Sequence, residues 1–221
     1  MLLRDKKIIF LLPPKAGSTS FKKMISDVGI EFEESDSELH PFLSEIITKY
    51  NINDLENYKV YQLCRNPFDR IASSFYFQKK IIKDKERYSK FIRLTFDAYV
   101  DIITKNSYLL PNYVDSFCKN VFDDDTFSKR HLPSAYGIRF YIPQTEWGIS
   151  NIKINYLKIE EFDSLILQKI LNIDKKLNLP KLNLNQDIVN YKNLYNEKTI
   201  KMVIDAYLHD FEILNYYKKL L

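Results

Sequence analysis

Residues 8–21 read Ile-Ile-Phe-Leu-Leu-Pro-Pro-Lys-Ala-Gly-Ser-Thr-Ser-Phe, an apolar run that breaks at two prolines and gives way to a turn rich in hydroxyls. The apolar, β-prone run from Ile8 to Leu12 favours a strand, and Pro13 and Pro14 end it. Beyond the turn, Phe21, Met24, Ile25 and Val28 recur at i, i+3, i+4 and i+7, the spacing of one helix face. The turn therefore stands at a helix N-terminus. The first backbone N–H groups there lack intrahelical acceptors and the aligned peptide dipoles add partial positive charge, so the position suits a phosphate or sulfate. Gly17 permits close backbone approach, Pro14 and Ala16 complete the loop, Ser18, Thr19 and Ser20 carry hydroxyls, and Lys15 supplies a full charge. The order is not that of a Walker A loop, in which the lysine follows the glycines. Taken alone, the stretch has an ordinary strand-to-helix turn as its second, less favoured reading.

A second strand, turn and helix follows in residues 58–77, Tyr-Lys-Val-Tyr-Gln-Leu-Cys-Arg-Asn-Pro-Phe-Asp-Arg-Ile-Ala-Ser-Ser-Phe-Tyr-Phe. Asn66 suits a helix cap, Pro67 the first helical position, and Phe68, Ile71 and Phe75 a buried face. Arg65 then leaves the carboxyl end of a strand, the edge at which open parallel α/β sheets bind ligands. Ser73 lies two turns along the helix. A guanidinium fork with a hydroxyl suits a second anion clamp; a surface ion pair is the alternative for Arg65 alone.

These residues resemble the sulfotransferases that use 3′-phosphoadenosine 5′-phosphosulfate (PAPS), and among them the branch acting on carbohydrates. Pro14 to Ser20 is similar to the family's 5′-phosphosulfate loop, and Arg65 to Ser73 to its Arg-[Asn/Asp]-Pro-[Phe/Tyr]-x-Arg-x-x-Ser segment for the 3′-phosphate. His40 to Ile46 resembles a His-x-x-Ala-x-Glu-Ile stretch, Pro143 to Trp147 a Pro-Gln-Thr-[Asp/Glu]-[Tyr/Trp] motif, and Tyr191 to Tyr216, with Tyr195, Tyr207, Asp210 and Phe211, the closing helix. The chain departs from the pattern at Ala16, where threonine is common, and at Ser44, where many members have alanine. It also lacks the Arg-Lys-Gly motif of the small-molecule cytosolic enzymes.

The resemblance implies sulfuryl transfer from PAPS to an acceptor hydroxyl on a carbohydrate or glycan, releasing adenosine 3′,5′-bisphosphate, with no metal. Lys15 would stabilise charge on the leaving oxygen, and His40 would take the acceptor's proton. His131 is the second candidate for that base, Glu45 a fallback, and His209 reads as structural. A P-loop-like kinase using ATP and a non-catalytic nucleotide-binding module are the rival functions. The kinase is disfavoured by the lysine order and by the lack of an evident magnesium-binding pair.

Composition bounds the rest. At 221 residues, 45% hydrophobic and 14% aromatic, the chain can bury a substantial core, and with only four glycines and no linker it reads as one domain, 1–221. The expected fold is α/β, P-loop-like, with a central mostly parallel sheet flanked by helices. Cys64 and Cys118 are too few for a disulfide framework or zinc, and Cys64 reads as a small buried hydrophobe rather than a nucleophile. The net charge of +4 does not require a nucleic-acid partner, and none is expected. Between Lys79 and Arg93 stand seven basic and two acidic residues, read as a solvated helical face before a landing surface for an anionic polymer. No apolar run reaches the roughly 18 residues of a membrane helix, so a cytoplasmic chain without an anchor is expected.

Further along, Gly29 ends the first helix and Glu31 to Glu38 forms an acidic connection. Helices are expected from about Pro41 to Tyr50, after Thr95 to about Lys105, over Phe162 to Leu171, and from Asn196 onward. A strand is expected over Ile152 to Ile159. Residues 107–150 read as irregular, the region in which acceptor specificity would lie.

Overall fold

The computed structural model describes residues 1–34, 40–81, 92–106, 138–149, 151–180 and 190–217. His131, Cys118, most of the basic run and most of 107–150 lie outside them. The fold is α/β, with a four-stranded, mostly parallel open sheet and seven α-helices among the described residues. Contacts divide the chain into two compact units, one of Met1–Arg65 with Glu146–Leu184 and the other of Asn66–Thr145 with Asn185–Leu221.

The first unit holds the sheet. Its strands are β1 (Leu2–Leu3), β2 (Ile8–Leu11), β3 (Lys59–Cys64) and β4 (Ile154–Lys158), lying in the order β1-β2-β3-β4. β1 runs antiparallel to β2, a short strand that the sequence reading did not anticipate. β2, β3 and β4 are parallel, with Ile9 opposite Val60 and Cys64 opposite Lys158. All of β2 is buried, as expected of a strand covered on both faces. The unit's helices are α1 (Ser18–Asp27), α2 (Leu43–Lys49) and, later in the chain, α5 (Ser164–Leu171).

Helices α1 and α5 share one core with the sheet: Phe21, Met24 and Ile25 join Leu167 and Leu171 against Ile8, Phe10 and Leu63. The Phe10 and Phe21 rings lie 4.9 Å apart. Burying a side chain such as Phe21 contributes about 1.5 to 3 kcal/mol, so the amphipathic face seen in the sequence is what docks α1 on the sheet. Gly29, at φ +79°, takes the left-handed turn that ends α1.

The second unit is helical, with α3 (Pro67–Ile81), α4 (Phe96–Asn106), α6 (Glu197–Ala206) and α7 (Leu208–Ile213). Asn66 Oδ1 accepts from the Phe68 N–H at 3.0 Å, so the cap and the proline at the first helical position stand as the sequence suggests. Thr95 Oγ1 accepts from Ala98 N–H and Asn196 Oδ1 from Thr199 N–H, capping α4 and α6. The single closing helix expected after Asn196 is two helices, parted at Tyr207 with φ −118° and ψ 29°.

Inside this unit polar groups are buried and paired. Arg70, 1% exposed, donates to the carbonyls of Ile142 and Arg139 at 2.9 and 3.1 Å. Asp210 is fully buried and accepts four hydrogen bonds, from the backbone and side chains of Gln144 and Thr145. Tyr99 and Tyr141 both donate to Gln78 Oε1, and burial followed by the neighbouring tyrosines pushes the Tyr99 phenol well above its ordinary range. No helix among the described residues is long and apolar enough to cross a membrane.

Candidate anion-binding site at the carboxyl end of the sheet

The loop between β2 and α1 begins as a tight turn. Ala16 N–H donates to Pro13 O at 3.2 Å, and Lys15, the third residue of that turn, has φ +64°. With proline at the second position and a positive φ at the third, this is a type II turn, whose third position normally belongs to glycine or asparagine. A lysine there is strained by about 1 kcal/mol or more and is held by its surroundings. Gly17 follows at φ +87° as the residue before the first turn of α1, so the lysine turn leads directly onto the N-terminal N–H groups of that helix.

Packing around residue 17 is tight as well. A Cβ on Gly17 would stand 3.0 Å from Ile159 Cδ1 and 3.2 Å from Ile159 Cγ1. Ala16 is fully buried, Ser18 and Ser20 are each 8% exposed, and Thr19 is exposed. No side chain caps α1 by a hydrogen bond, and its first turn carries no acidic residue.

Two further side chains close on the same loop. Arg65 Nη1 donates to Lys15 O at 3.0 Å, joining the end of β3 to the turn after β2. His40 Nδ1 lies 2.6 Å from Leu12 O, just before the two prolines. A carbonyl oxygen can only accept, so Nδ1 carries the proton and Nε2 is the basic nitrogen of the neutral ring. His40 has φ +64° although it precedes Pro41, a strained position for a residue with a Cβ.

The electrostatics agree with the geometry. Burial, and then the Arg65 guanidinium, lower the Lys15 amine from 10.5 to about 8. Lys158 ends β4 beside Cys64 and pairs with Glu161 at 3.7 Å, so a cation stands at or just beyond the carboxyl end of each parallel strand.

The remaining sequence candidates are placed as follows. Glu45 Oε2 accepts from Phe42 N–H at 2.7 Å and so caps α2, which begins at Leu43 rather than at the expected Pro41. His209 is exposed on α7, 3.7 Å from Glu212. Cys64 is a buried thiol. Ser73 belongs to α3, in the second compact unit. Sequence reasoning did not single out Lys158, Ile159 or Gly148. Only Gly148, one of four glycines, carried any signal. Comparison with protein-family models, curated proteins and solved structures found no match.

Proposed function

We propose that this protein is a sulfotransferase that moves a sulfuryl group from PAPS to an acceptor hydroxyl, on a carbohydrate or glycan. One observation carries the reading: a strained lysine turn at a helix N-terminus, with Arg65 hydrogen-bonded to its Lys15 carbonyl and His40 to the Leu12 carbonyl just before it. The donor set suits a multiply charged sulfated nucleotide, offering backbone N–H groups, the hydroxyls of Ser18, Thr19 and Ser20, and the cations Lys15 and Arg65.

Sulfuryl transfer needs little covalent help, so the chain's work is positioning and charge stabilisation. Lys15 and the N-terminus of α1 face the charge that grows on the departing oxygen. His40 Nε2 takes the proton from the acceptor hydroxyl, whose oxygen bonds to sulfur as the bond from sulfur to the bisphosphate breaks. The bisphosphate is the leaving group and the sulfate ester the product. PAPS supplies the activated sulfur, and Arg65 adds a guanidinium that can grip its phosphates bidentately.

The test has two stages. Calorimetry with adenosine 3′,5′-bisphosphate, AMP and ADP should show at least about tenfold tighter binding of the bisphosphate, a difference of about 1.4 kcal/mol. Labelled PAPS offered with a panel of glycans, lipids and phenols should then label a glycan. Equal nucleotide affinities with no transfer would overturn the proposal.

A further inference from the structure

His40 is held by more than its own hydrogen bond. Two residues on, the Phe42 ring lies 4.6 Å from the fully buried Trp147 ring at an interplanar angle of 37°. Phe42 N–H is fastened to Glu45 at the same corner. Trp147 is in turn followed by Gly148, where a Cβ would meet the tip of the half-buried Ile154 side chain, Cδ1, at 2.0 Å. The ring contact thus anchors the chain at Phe42, two residues beyond a histidine in a strained conformation. A strained φ persists only where the surroundings hold it, and the Phe42 corner is the packed part of those surroundings.

We propose that Trp147, packed on the Phe42 ring, is a positioning residue that fixes the His40 ring with its proton on Nδ1 and Nε2 presented to the acceptor. The proposal deepens the sulfotransferase reading and rests on it for the role of Nε2. The brace itself is a statement about the His40 ring, independent of turnover. Aromatic area is what the site uses, since the Trp147 and Phe42 rings pack on each other. Phenylalanine at 147 therefore keeps most of the contact, whereas leucine loses the ring pair.

The experiment follows the ring directly. In the full chain labelled with ¹⁵N-histidine, long-range ¹H–¹⁵N spectra report which ring nitrogen is protonated, and the His40→Gln variant assigns the signal. The native protein and Trp147→Phe should show the Nδ1–H form, and Trp147→Leu a mixture of both tautomers. Gly148→Ala should behave like Trp147→Leu, and adding Ile154→Val, which removes the obstructing Cδ1, should restore the native form. Affinity for adenosine 3′,5′-bisphosphate should stay within about twofold throughout, while kcat for sulfuryl transfer falls at least about tenfold in the two disrupted variants.

A native-like His40 tautomer in both Trp147→Leu and Gly148→Ala would overturn the proposal, as would an Nε2–H form in the native protein. Should Trp147→Leu fail to fold, Gly148→Ala and its rescue decide alone. Loss of the tautomer without any transfer activity in the native protein would leave the brace standing and remove the sulfotransferase reading instead.

Discussion

The Arg65 guanidinium donates to the carbonyl oxygen of Lys15 at 3.0 Å, tying together residues fifty positions apart in the chain. One cation therefore holds in place the backbone that carries the other. Arg65→Ala should weaken bisphosphate binding by at least about 1.5 kcal/mol, the lower end for a hydrogen bond to a charged group, and should also lower folding stability by about 1 kcal/mol. Calorimetry and urea unfolding read the two separately. A loss of affinity with unchanged stability would mean that the bond to Lys15 contributes nothing to holding the loop.

Lys15 should make binding dependent on pH. Its amine is lowered to about 8 from 10.5, so between those values the unfolded chain binds more protons than the folded one, and this group's contribution to stability rises with pH across that window. Below about pH 8 the buried charge is a standing cost, and Lys15→Met should be more stable there by about 1 kcal/mol. A bound anion favours the protonated amine, so binding should take up protons and weaken as pH climbs above about 8. Calorimetry at about pH 8.5 in buffers of different ionisation enthalpy should show that uptake in the native protein and none in Lys15→Met.

For Gly17→Ala the expectation is a double loss. The added methyl meets Ile159 Cδ1 at 3.0 Å and the backbone stays at φ +87°, so stability should fall by about 1 to 2 kcal/mol. Bisphosphate affinity should fall with it, because the N–H groups around residue 17 turn together. Thermal unfolding with and without ligand measures both.

His40→Ala should slow transfer by roughly 100- to 10,000-fold and remove the limb of the pH–rate profile that rises across the imidazole range, about pH 6 to 7. Bisphosphate affinity should be nearly unchanged. A retained limb would pass the role of base to His131 or to a carboxylate.

Asp210→Asn puts an NH₂ group where the carboxylate now accepts from two backbone N–H groups, an amide and a hydroxyl. Leaving a buried donor facing donors should cost about 2 to 3 kcal/mol, seen as a lower denaturation midpoint at unchanged slope. An unchanged midpoint would show that the cage around Asp210 adds nothing to stability.

What the sequence determined by itself is local. The strand of Ile8–Leu11, the amphipathic face of α1, the Asn66 cap with Pro67, and Gly17 at a turn all follow from propensities and spacings that act within a few residues. The loop's candidacy as an anion site was legible for the same reason, because strand, turn and helix N-terminus are contiguous. Tertiary structure decided what those groups touch. No local rule pairs Arg65 with the Lys15 carbonyl, turns Nδ1 of His40 to Leu12, or drives Trp147 against Phe42, since each joins segments far apart in the chain. The same holds for the lowered Lys15 amine. Its charge is written in the sequence, but the burial and the neighbouring guanidinium that shift it exist only once β2 and β3 lie side by side.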